Sequence, residues 1–86
     1  MKKEEINIMG LELVRWTHKS CEVDIAEGIK WATIYRVESR EQGKGHATEL
    51  LGFLKDYYKS KRFGGSVALS PAMKHLYQKL QIKEYL

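Results

Sequence analysis

The residues with the clearest chemical capacity are Gln42-Gly43-Lys44-Gly45-His46-Ala47, where two glycines fall within six positions. Glycines let a backbone turn sharply and bring its N–H groups close to a ligand. At the start of a helix those groups point outward, and the helix dipole adds to their attraction for negative charge. A pyrophosphate is the ligand such a cradle fits. The stretch has neither the Lys-Ser/Thr ending of a P-loop nor the third glycine of a dinucleotide fingerprint. His46 reads as a solvated loop residue within it. Cys21 is the single cysteine, which excludes an internal disulfide and a multi-cysteine zinc site. His18 and His75 stand too far apart in the sequence to announce a metal site. Glu22, Asp24, Glu27 and Glu38 are the carboxylates available as a base, and each reads as a solvated strand residue.

These residues need elements to hold them. Glu5 to Met9 and Leu11 to His18 are short β-branched and aromatic runs broken at Gly10. Cys21 to Ala26 alternates apolar and polar residues, as a half-buried strand does. Glu27-Gly28 reads as a tight turn, and Ile29 to Val37 as a central strand. From position 47 the apolar residues fall at 47, 50, 51, 54, 57 and 58, the spacing of an amphipathic helix. Lys55, Lys59, Lys61 and Arg62 suit the negative end of its dipole and read as a solvated face, with Gly64-Gly65 as its stop. Val67 to Leu69 forms a short apolar strand. Ser70-Pro71 then reads as an N-cap and first residue of a second helix, with Ala72, Leu76 and Leu80 facing the core and Met73 and Tyr77 alongside. Gln81 to Leu86 leaves room for a terminal strand. The order β-β-β(-β)-α-β-α(-β) predicts an α+β fold: three to four N-terminal strands in a mostly antiparallel sheet, with two helices packed on it.

In this context Gln42-x-x-Gly45-x-Ala47 resembles the Gln/Arg-x-x-Gly-x-Gly/Ala signature of the GNAT superfamily of acetyl-CoA-dependent N-acetyltransferases. Ser70-Pro-Ala-Met-Lys-His-Leu76-Tyr77-Gln-Lys79-Leu80 is similar to that family's Asn-x-x-Ala-x-x-Leu-Tyr-x-Lys-Leu-Gly-Phe segment. The resemblance covers residues 21–86. It implies that backbone groups of Tyr35, Arg36 and Val37 pair with the pantetheine arm of acetyl-CoA, and that the Tyr35 amide holds the thioester carbonyl and its oxyanion. It implies that the backbone of Gln42, Gly43, Lys44, Gly45, His46 and Ala47 cradles the pyrophosphate. It implies too that Ser70 takes a pantetheine contact and that Tyr77 is the general acid protonating the departing thiolate. The amine attacks directly, so Cys21 is not needed as a nucleophile. The sequence departs from the family at Ser70 (usually Asn), at Gln81-Ile82 (usually Gly-Phe) and at Trp31, where lysine-acetylating members carry a carboxylate base. The N-terminal strand and two helices that wall the family's acceptor site have little sequence to encode them.

Eighty-six residues allow one domain, spanning 1–86. The composition, 43% hydrophobic and 30% charged, is that of a globular chain. No run of 18 apolar residues occurs, which excludes a membrane-spanning helix, and no signal-peptide core follows Met1, so a reducing cytoplasm is the expected compartment. The net charge of +4 favours an anionic partner. The expectations are therefore acetyl-CoA as co-substrate, no metal, no membrane partner and an amine acceptor, with a protein favoured by the reduced acceptor wall. A homodimer would bury exposed sheet edges. Trp16, Trp31 and Tyr35 read as sheet core, or as the lining of an open groove or dimer interface. A non-catalytic CoA-binding or protein-interaction module is the alternative, and a nucleic-acid-binding domain ranks third.

Overall fold

The computed structural model describes residues 1–41, 45–65 and 71–84, with the backbone alone at Ala72 and Glu84. Four strands open the chain: β1 (Lys2–Ile8), β2 (Leu11–His18), β3 (Cys21–Glu27) and β4 (Trp31–Ser39). Each pairs antiparallel with the next. Met9 and Gly10, which join β1 to β2, have φ of 52° and 85°. Two left-handed residues in succession give the turn twist that matches the flanking strands. Then come α1 (His46–Tyr57), β5 (Arg62–Gly65), α2 (Pro71–Leu80) and β6 (Lys83–Glu84). β5 lies parallel to β4 and β6 parallel to β5, so the six-stranded sheet runs β1 to β6 in chain order. This is an α+β architecture with a mostly antiparallel sheet and two helices, as the hydrophobic pattern predicts.

Both helices pack on one face of the sheet. Leu50, Leu51 and Leu54 of α1 and Tyr77 of α2 are buried with Val14, Trp16, Val23, Ile25, Ala32 and Ile34, while Met73, Leu76 and Leu80 flank them. Trp16 is sheet core, whereas Trp31 and Tyr35 are exposed. Ile29, expected in a strand, sits in the β3–β4 turn, which is closed by the Gly28 N–H donating to the Trp31 carbonyl.

The expected glycine stop of α1 is incorrect. The helix ends at Tyr57, with the Tyr58 N–H donating to the Leu54 carbonyl at 2.9 Å. Tyr58 turns inward, accepts a hydrogen bond from Trp16 Nε1 at 3.1 Å and donates its hydroxyl to Glu27. That anchor fixes the turn before the glycines are reached, and Gly64 and Gly65 lie in β5. The strand expected at 67–69 lies outside the described residues. The cationic cluster is also more than a solvated face. Lys55 donates to the Leu80 carbonyl at 2.7 Å and Lys61 to the Gly28 carbonyl at 2.8 Å. Among the described residues, no helix is long and apolar enough to cross a membrane.

Candidate functional site

The site-bearing feature is an irregularity in β4. Asp24 pairs with Arg36 while Ile25 pairs with Ile34, so Tyr35 is an extra residue opposite no partner. Such a bulge interrupts the ladder and re-aims the residue it contains, and bulges concentrate beside functional sites. On its other side β4 pairs with β5 from Trp31 to Ile34 and, among the described residues, no further. Tyr35, Arg36 and Val37 follow directly on the last of these described pairs. Tyr35 is 60% exposed there.

Gly45 is the N-cap of α1, left-handed at φ 76° and ψ 8°, with no side-chain cap. A Cβ at Gly45 would meet nothing within 4 Å, so φ rather than crowding requires glycine. Its carbonyl accepts the Glu49 N–H at 2.9 Å. His46 and Ala47 begin the helix, and Ala47 packs against the core. Gln42, Gly43 and Lys44 lie outside the described residues, as does Ser70.

His46 is not the solvated residue expected. Its Nδ1 lies 2.8 Å from Ser20 Oγ, and its ring meets His18 edge-on at 6.2 Å between centroids. His18 Nε2 is buried without a hydrogen-bond partner among the described residues, 3.6 Å from Glu49, a contact that is ionic only when the ring is protonated. The two histidines are far apart in sequence, and the β2–β3 turn brings them together at the start of α1. Among the described residues, no group of three or more His, Cys, Asp or Glu could hold a metal.

Tyr77 is 3% exposed and belongs to the core. Its ring lies over Gly65, where a methyl group would overlap the hydroxyl and stand 2.7 Å from two ring carbons. Gly65 is also the residue paired with Ile34, so the Tyr77 hydroxyl sits beside the last described rung of the β4–β5 ladder.

The carboxylates are not simply solvated. Asp24 is fully buried on the face of the sheet away from the helices, with Arg15 Nε at 2.9 Å and Arg36 Nε at 3.0 Å. Burial alone would push its carboxyl up; hydrogen bonds and charge from the two arginines outweigh that and hold it below the ordinary range. Glu27 follows the same logic. Burial opposes its charge, but Tyr58 and Lys3 lower it overall. Glu22 contacts Arg15 and Arg40, and Glu38 pairs with Arg36. The Asp24 clamp was hidden in the sequence because the bulge changes the face on which Arg36 falls. Burial pushes the Cys21 thiol up to about 11, which keeps it protonated and inert at neutral pH. The chain matches no protein-family model, no curated protein and no solved structure.

Proposed function

We propose that this chain is a GNAT-type N-acetyltransferase that moves an acetyl group from acetyl-CoA to an amine. The observation that carries the reading is the bulge at Tyr35, in a strand that leads to the left-handed Gly45 and the N-terminus of α1. A strand edge beside a helix start supplies backbone partners for an amide-containing arm and an electropositive end for its phosphates. In the transfer a nitrogen–carbon bond forms, the carbon–sulfur bond breaks, Tyr77 supplies the proton taken by the thiolate, and the proton shed by the attacking nitrogen passes to water, from which the phenol is restored. The acceptor is an amine on a protein, reached from the helix-free face, in the cytoplasm, with neither a metal nor a membrane taking part.

A second reading, a CoA-binding or interaction module without transfer, draws support from the depth at which Tyr77 is buried. Calorimetric titration with acetyl-CoA, with desulfo-CoA and ATP as controls, separates the readings. Selective binding, lost in Gly45→Glu because a side chain and a negative charge enter the cradle, supports the cofactor site. No binding by the parent chain would discard it. Tyr77→Phe should then bind acetyl-CoA nearly as well while turning over about 10-fold or more slowly on a peptide amine. A parent chain that binds but transfers to no amine leaves the module reading in place.

A further inference from the structure

The β1–β2 and β3–β4 connections lie at the same end of the sheet, together with the last turn of α1 and the start of β5. The β2–β3 ladder ends at the Val14–Ile25 pair, and both hairpins project beyond it at this end. Ile8, Met9, Leu11, Ile29 and Trp31 are all exposed there, Met9 completely and Ile29 by 92%. A concentration of large apolar side chains at one end of a small domain marks a contact surface.

Met9 is the sharpest part of it. At φ 52° it occupies a left-handed position that suits Asn or Gly and penalises a bulky side chain. Full exposure means that no contact within the chain offsets the strain. A partner outside the chain would cover that side chain.

Charge identifies that partner. On the helix-bearing face of this end, Glu5 and Glu12 lie diagonally across the β1–β2 ladder and line, with Asn7, Val14 and the Lys3-paired Glu27, a recess of about 430 Å³. Neither Glu5 nor Glu12 makes an ion pair among the described residues, and neither do Lys30 and Lys59, which flank the other tip with Lys61 and Arg62. The end thus has an acidic half and a basic half, each beside an apolar tip. Nucleic acid or an anionic bilayer would match the basic half and be repelled by the acidic one. A two-fold axis matches both at once, because an isologous contact sets each half against its opposite.

We propose that two copies of this chain associate through the hairpin-tip end. Met9 of each copy packs on the exposed Ile29 and Trp31 of the other, and the Lys30 and Lys59 side of each faces Glu5 and Glu12 of the other. The contact lies at the opposite end of α1 from Gly45, so it stands independently of the cofactor reading.

Sedimentation velocity of the full chain over a rising concentration series tests this, with circular dichroism confirming that each variant is folded. Met9→Asn relieves the left-handed strain, so it should unfold at equal or higher urea yet dissociate about 10-fold more readily. Glu5→Lys with Glu12→Lys, and separately Lys30→Glu with Lys59→Glu, should each yield monomers. Mixing those two variants should restore the dimer, since every pairing across the axis is then opposite in sign. A dimer untouched by Met9→Asn, or charge variants that remain monomeric when mixed, would overturn the proposal. So would a parent chain that is monomeric throughout, whether or not it binds phosphatidylserine vesicles or a single-stranded RNA oligonucleotide.

Discussion

Tyr58 illustrates how a single polar atom organises this small core. Its ring is buried among Trp16, Tyr57 and Phe63, and its hydroxyl joins the indole of Trp16 to the carboxylate of Glu27. The bond ties the end of α1 to β2 and β3, 42 and 31 residues earlier in the chain. Burial and the neighbouring Glu27 both raise the phenol's pKa, so it remains a donor across the neutral range. Tyr58→Phe preserves the ring packing and removes only the oxygen. It leaves the Trp16 N–H without its acceptor and removes a hydrogen bond from Glu27, and a buried polar group left unpaired costs about 1–3 kcal/mol. Urea unfolding should show a loss in that range. A change within experimental error would mean that water replaces the hydroxyl and that the stop of α1 is set by something else.

At the scale of elements, Gly65 shows why part of the fold was illegible. Gly64-Gly65 reads as a helix stop, yet Gly65 serves β5 by making room for Tyr77 from α2, a requirement visible only once both elements are in place. Gly65→Ala forces the buried ring to move and should destabilise by about 1–3 kcal/mol, as overpacking does. With Tyr77→Phe in the background the nearest overlap disappears, so the penalty should shrink and the two changes should couple in a double-mutant cycle. Full additivity would place the strain elsewhere. The four N-terminal strands and the start of α1 were readable because alternation, 3–4 spacing and Gly45 are local signals, whereas β5 was not. Pro71 as the first residue of α2 was readable for the same reason. The bulge at Tyr35 was not, since it depends on how β3 and β4 align, and neither was the meeting of His18 with His46. The burial of Asp24 was hidden as well, because Arg15 and Arg36 reach it across two different strand pairings.

For the whole molecule, the charges that are structurally committed are carboxylates held by cations across strands, and these set how stability responds to acid. Asp24 and Glu27 both have carboxyls held below their ordinary values in the folded chain, with burial opposing and their hydrogen-bond partners prevailing. As pH falls, the unfolded chain therefore takes up these protons first. Their contribution is complete above the ordinary carboxyl range near pH 4 and is lost as pH falls through the depressed folded values. The urea midpoint should then show no pH dependence from these groups between about pH 5 and 8, and should decline as pH drops below about 4. Asp24→Asn removes one of the two titrations and leaves Arg15 and Arg36 facing a neutral amide. It should cost about 1–3 kcal/mol at neutral pH, since both arginines keep some contact with water. The variant should also lose less of its remaining stability in acid, so the two curves converge toward low pH. Parallel curves would show that the Asp24 clamp carries no pH-dependent stability and that acid acts on the chain through Glu27 or through its exposed carboxylates.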